Sequence, residues 1–113
     1  MSPITTHVLD TAGGRPARGV GVRLEIRAPG GRFRRLAAAK TDANGRIADL
    51  LPEGRLKRGI YRMVFDTRAY FRARRTAAFY PEISVVFEIR KPAEHHHVPL
   101  LLSPFGYSTY RGS

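Results

Sequence analysis

Val20-Gly21-Val22-Arg23-Leu24-Glu25-Ile26 is the stretch that decides the fold. Val20, Val22, Leu24 and Ile26 alternate with Gly21, Arg23 and Glu25, a period of two that puts one face of a strand into a core and the other toward water. The alternation returns at Tyr61, Met63 and Phe65 within the run Ile60 to Phe65, and again at Val85, Phe87 and Ile89. Pro29-Gly30-Gly31 makes a turn, after which Phe33 to Lys40 returns as a neighbouring strand, its alanines being weak strand formers.

Outward from this core, Ile4 to Asp10 reads as a β-branched first strand on which Thr5, His7 and Leu9 share a face, closed by the turn-rich Thr11 to Pro16. Asp42-Ala43-Asn44-Gly45 is a compact turn that delivers Arg46 at the mouth of a short run, Ile47 to Leu51, broken by Pro52-Glu53-Gly54. Asp66 or Thr67 caps the one helix, roughly Arg68 to Thr76, whose Arg68, Arg72 and Arg75 fall on a solvated face. Tyr80-Pro81 ends that segment. His97 to Leu102 and Gly106 to Tyr110 supply the last two strands. Seven or eight short strands between turn clusters, with one short helix, predict an all-β, two-sheet β-sandwich. At 113 residues the chain fits a single domain, 1–113, with a core that needs neither disulfides nor metal.

Composition narrows the function. Hydrophobic residues at 42% and charged residues at 26% fit a soluble globular protein and argue against disorder. With no cysteine there is no disulfide framework, no cysteine-based zinc site and no thiol nucleophile. The N-terminal residues show no basic region followed by an apolar one, and no later run is long enough to span a membrane. The expectation is a cytoplasmic protein without a membrane partner. The formal charge of +11 comes mainly from arginine, at Arg32, Arg34 and Arg35, Arg55, Lys57 and Arg58, and Arg68, Arg72, Arg74 and Arg75. These cations are spread over several segments with no nucleic-acid motif, so no specific nucleic-acid partner is expected; attraction of an anionic small molecule uses the same field equally well.

The scarce chemical groups are four histidines, His7 near the start and His95, His96 and His97 near the end. In a strand His95 and His97 point to one face and His96 to the other. An adjacent trio is commonly a solvated tract that binds metal opportunistically, but this one runs into the apolar Val98 to Leu102, which carries at least one ring into packed surroundings. If His7, His97 and His95 converge, two chemistries follow. Three neutral imidazoles could hold a catalytic zinc with an open water position. Two imidazoles without metal could instead take a proton from an attacking water and deliver it to a leaving nitrogen. Arg46 and Arg111 would supply fixed positive charge in either case. None of Ser103, Ser108 and Ser113 sits in a Gly-x-Ser-x-Gly elbow, which counts against a covalent mechanism.

Taken together, Thr6-His7-Val8-Leu9-Asp10 with Gly14-Arg15-Pro16, Gly45-Arg46, Phe79-Tyr80-Pro81-Glu82, His97-Val98-Pro99-Leu100-Leu101-Leu102-Ser103-Pro104 and the terminal Tyr110-Arg111-Gly112-Ser113 resemble the 5-hydroxyisourate hydrolases, a transthyretin-related family of urate breakdown. The resemblance covers nearly the whole chain in order. Its terminal Tyr-Arg-Gly-Ser separates the hydrolases from the hormone-carrying transthyretins. It implies a transthyretin-like sandwich assembled as a homotetramer, with active sites where dimers meet. It also implies metal-free, cofactor-free hydrolysis of the N1–C6 amide of 5-hydroxyisourate. The residues matched to the family's site are His7, Arg46, His97 and Ser113 for catalysis, with His7, Arg46, Tyr110, Arg111 and Gly112 on the substrate. The family's usual His-Tyr-His before Val-Pro is here His95-His96-His97; alternation turns His96 away from the chemistry. The alternative is a non-enzymatic transthyretin-like ligand-binding module.

Overall fold

Nine strands and one helix form among the described residues of the computed structural model, 2–113; of the N-terminal stretch read above, only Met1 lies outside them. In chain order they are β1 (Ile4–Asp10), β2 (Arg15–Pro16), β3 (Gly21–Arg27), β4 (Phe33–Lys40), β5 (Arg46–Ile47), β6 (Gly59–Asp66), α1 (Thr67–Ala73), β7 (Ile83–Ile89), β8 (His96–Ser103) and β9 (Gly106–Thr109). One sheet runs β2-β1-β8-β9, with β5 also paired to β1; the other runs β4-β3-β6-β7. The alternation at 20–26 becomes β3, with Val22 and Leu24 buried and Arg23 turned outward beside the salt-bridged Glu25.

The two sheets pack inner face to inner face. Ile4, Val8, Val98, Leu100 and Leu102 come from the first, and Val22, Leu24, Tyr61, Met63, Phe65, Ile83 and Ile89 from the second, all buried in one apolar cluster. The pairing that places the site is parallel: β1 lies beside β8 in the register Ile4↔His96, Thr5↔His97, Thr6↔Val98, His7↔Pro99 through Asp10↔Leu102. Thr6 Oγ1 donates to the Val98 carbonyl at 2.6 Å and Thr11 N to the Leu102 carbonyl at 2.8 Å, fixing that register at both ends. The start and the finish of the polypeptide are therefore neighbours.

Three elements differ from the expectation. Thr11 to Pro16 contains a two-residue strand, β2, which pairs with Leu9 and Asp10 at a sheet edge, where proline costs no ladder bond. The run Ile47 to Leu51 stays a strand only at Arg46–Ile47, because Leu50 and Leu51 both turn into the core and Leu51 N donates to Ser2 Oγ at 3.1 Å. The helix stops at Ala73, short of Thr76, where the chain leaves helical geometry and Arg75 takes a positive φ of 54°. Asp66 is its cap, accepting from Ala69 N at 3.1 Å.

Tyr70 fastens this helix to the end of β1. Its hydroxyl donates to Asp10 Oδ2 at 2.8 Å, while Asp10 Oδ1 accepts from Ala12 N and Gly13 N, and the Arg74 guanidinium stacks 3.7 Å from the ring centre. Burial, then the Asp10 hydrogen bond and charge, push the phenol up to about 12. Tyr70→Phe keeps the stacked ring and deletes the bond. Stability should fall by about 1–3 kcal/mol, as expected for a buried hydrogen bond to a charged group, read as a lower urea midpoint at unchanged slope.

Candidate active site

The outward face of β1 carries Thr5, His7 and Leu9, all half-buried, while Ile4, Thr6, Val8 and Asp10 point inward. On β8 the outward set includes His97 and Leu101, with His96, Val98, Leu100 and Leu102 facing the core. His7 and His97 thus stand on one face of adjacent strands, diagonal across the parallel register. On the other side of β1, β5 puts Arg46 directly opposite His7. The structure brings these three sequence-predicted residues together.

A turn holds Arg46 there. Asp42 Oδ1 accepts from Asn44 N at 2.8 Å and from Arg46 N at 3.0 Å, and Asp42 N donates to the Arg46 carbonyl at 2.9 Å. The hydrogen bond from Arg46 N is the main reason that the Asp42 carboxyl lies below its usual range. Gly45, at a φ of +74°, accepts at its carbonyl from Val8 N at 2.7 Å, and any side chain there would collide with the Val8 carbonyl oxygen. Glycine is what lets this turn close against β1. The Arg46 side chain is exposed and forms no ion pair among the described residues, so its charge is free to act on the sheet face.

Both imidazoles feel that charge. His7 is held below its ordinary value by burial and then by Arg46, against the opposing pull of the Asn44 hydrogen bond and Asp42. His97 is lowered by burial, then Arg46, His7 and His95. Two rings whose charged forms are disfavoured, beside one cation, are suited to accept a proton and to stabilise a developing anion. No three His, Cys, Asp or Glu side chains among the described residues are grouped to hold a metal ion, so His7, His97 and His95 do not form the triad that the zinc reading requires.

The tail is docked. Gly112 N donates to the His97 carbonyl at 2.9 Å, and a Cβ on Gly112 would come within 2.6 Å of His97 Cδ2. The glycine backbone packs against the Cδ2 side of the imidazole, where a side chain would not fit. Arg111 goes elsewhere: it pairs with Glu94 at 3.2 Å and contributes to lowering the pKa of His96, on the opposite side of β8 from His97. Tyr110 is exposed beside a hollow of about 310 Å3 lined by Val85, Phe87, His97 and Arg111, and Ser113 is exposed. Thr5 was missed as a functional residue: its hydroxyl lies 2.8 Å from His97 Nδ1 and 3.1 Å from His95 Nε2. The signal was there, since Thr5 is two residues before His7 on an alternating strand.

Known proteins resemble this chain along its length. Residues 4–112 match the model of the HIUase/Transthyretin family. A 5-hydroxyisourate hydrolase from Mus musculus is 48% identical over 113 residues, covering 99% of this chain and 96% of the relative. Among solved structures, sea bream transthyretin in complex with thyroxine superposes with a TM-score of 0.93 at 34% identity, over 98% of this chain and 95% of that one. Klebsiella pneumoniae 5-hydroxyisourate hydrolase does so with a TM-score of 0.84 at 35% identity, over 97% and 98%.

His96, where the resemblance leads one to expect an aromatic, is buried on the inner face with Nδ1 lacking any hydrogen-bond partner. Burial, then Arg111, lowers its pKa. Like His7 and His97, it binds its proton less well folded than unfolded, so stability is fully present above the unfolded value of about 6.5 and drains away as pH falls through the lowered folded values. Thermal scans from about pH 7 to pH 5 should therefore show a falling Tm. His96→Phe should raise stability by about 1–3 kcal/mol through loss of the orphaned nitrogen, and should flatten, without abolishing, the pH slope.

Proposed function

The chain belongs to the HIUase/Transthyretin family, and from that membership we propose that it hydrolyses 5-hydroxyisourate in urate breakdown, opening the N1–C6 cyclic amide to give 2-oxo-4-hydroxy-4-carboxy-5-ureidoimidazoline. The observation that carries this reading is the meeting of His7, Arg46 and His97 on one open sheet face, where burial and the Arg46 charge disfavour protonation of both rings. In this mechanism His7 and His97 position a water and take its proton as its oxygen adds to the C6 carbonyl. Arg46 binds the substrate and stabilises the oxyanion that forms. Collapse of that intermediate breaks the C6–N1 bond, and the proton held on imidazole passes to N1. Tyr110 to Gly112 orient the substrate rings, and Ser113 supplies hydrogen-bonding atoms at the His97 end.

The working unit in this proposal is a homotetramer whose sites close where dimers meet. Its support is the surface that one chain leaves open. Strands β7 and β9 end their sheets, and Val86 on β7 and Tyr107 on β9 are 58% and 43% exposed. Phe79 and Phe105 are 70% and 71% exposed, a cost that a lone domain gains nothing by bearing. The alternative, a binding module, draws on the likeness to the thyroxine complex, and it predicts ligand binding without turnover.

Generating 5-hydroxyisourate in situ from urate and following its ultraviolet decay tests the activity directly, using chelator-treated protein. His7→Ala and His97→Asn should each lower kcat by roughly 10²–10⁴-fold, the contribution of a positioned base, with a smaller effect on KM. Arg46→Gln should cost roughly 10²–10³-fold. Near-parent turnover in both histidine variants would remove the pair from the mechanism. Separately, sedimentation should find four 12.7 kDa chains per particle, and Phe79→Glu with Phe105→Glu should yield smaller, less active particles. A parent that sediments as a monomer with full activity would end the tetramer reading.

A further inference from the structure

Thr5 stands between two imidazoles. Its Oγ1 lies 2.8 Å from His97 Nδ1 and 3.1 Å from His95 Nε2, and the two rings lie nearly parallel, 6.5 Å between centres and 22° between planes. A threonine hydroxyl has one hydrogen to donate. When both contacts are hydrogen bonds, at most one ring nitrogen can accept that hydrogen, so at least one of the two must donate its own to the oxygen. The tautomers of His95 and His97 are thereby coupled through a single O–H.

We propose that Thr5 and His95 act as a positioning pair that holds His97 in its Nδ1–H tautomer, leaving the Nε2 lone pair free to take the proton of the attacking water. In this arrangement His97 Nδ1–H donates to Thr5 Oγ1, and Thr5 O–H donates to His95 Nε2. His95 thus acts at a distance: as the acceptor, it keeps the threonine hydrogen away from His97 Nδ1. Without that acceptor the hydroxyl hydrogen is free to turn toward Nδ1, a contact that favours the Nε2–H tautomer, in which Nε2 is no longer a base. When Nε2 takes a proton from water, the ring becomes an imidazolium whose Nδ1–H still donates to Thr5, and no other atom changes partner. Gly112 complements this pair: Thr5 fixes the Nδ1 side of the ring, and the glycine backbone closes on its Cδ2 edge.

The inference rests on the reading of His97 as a base, and the test separates the two. Thr5→Val keeps the branched shape and removes the hydroxyl; Thr5→Ser restores it. His95→Phe keeps a ring beside His97 and removes only the acceptor, at an exposed position where folding is not at stake. Long-range ¹⁵N–¹H spectra of the neutral ring should show His97 protonated at Nδ1 in the parent and in Thr5→Ser, shifting toward Nε2 protonation in Thr5→Val and His95→Phe. In the latter two kcat should drop about tenfold, the equivalent of ~1.4 kcal/mol, with KM little changed. An Nε2–H tautomer in the parent, or a His97 tautomer that ignores both substitutions, would overturn the coupling. A tautomer that moves while kcat holds would overturn the assignment of His97 as the base.

Discussion

The structure depends on the parallel pairing of β1 with β8 in one register. Side chains on a strand alternate, so a slip of one residue would send His97 into the core and bring His96 out to face His7. Several interactions resist that slip. On the inner face Ile4, Val8, Val98, Leu100 and Leu102 are almost completely buried, and a shift would expose all of them. Thr6 is buried among them, yet its hydroxyl is satisfied by the Val98 carbonyl, which is available only in this register. Apolar burial supplies the strength of the pairing, and one buried hydroxyl gives it a unique alignment.

That alignment makes the electrostatics possible. Once His7 is placed on the outer face, β5 can approach the far side of β1 only because Gly45 has no side chain to strike the Val8 carbonyl. Asp42 then binds the Arg46 backbone rather than its guanidinium, so the turn is held by the carboxylate while the cation stays unneutralised. The effect on the rings follows: partial burial and a nearby positive charge both disfavour imidazolium. A carboxylate salt-bridged to Arg46 would cancel this field. The same logic accounts for other arginines, since Arg23 and Arg62 bind the buried Glu25 and Arg74 stacks on Tyr70. They are structural cations, each held by a carboxylate or an aromatic ring.

How much of this could be read from the chain varies with the physics behind each feature. Strands buried on one face announced themselves by alternation, and β3, β6 and β7 stand close to where the pattern put them. The helix start was legible in Asp66 because capping is local chemistry. Its end was not, because the helix closes through local backbone bonds at Arg74 to Thr76, with Arg75 at a positive φ and no glycine to mark the stop. Strand β2 was hidden inside a turn cluster: its two residues gain their identity only from Leu9 and Asp10 across the ladder. At the site, His7 and His97 were visible as rare residues on alternating strands, but Thr5 looked like any β-branched residue. Its significance comes from a contact across 92 positions, which no local pattern encodes. Arg111 shows the reverse case, a residue legible by motif whose side chain, in one chain, turns to Glu94.

The backbone itself does not choose between carrying a ligand and hydrolysing one. A thyroxine-bound transthyretin and a 5-hydroxyisourate hydrolase both superpose on this chain over nearly its whole length, so any difference in chemistry must lie in side chains on a shared scaffold. An open sheet face lined by apolar residues would bind a flat molecule by surface burial alone and leave it unchanged. The face built here carries two imidazoles whose pKa values are lowered, a guanidinium with no ion pair among the described residues, and a glycine packed against one ring. Holding ionisable groups neutral at a half-buried surface lowers stability on acidification, a cost that binding alone does not require.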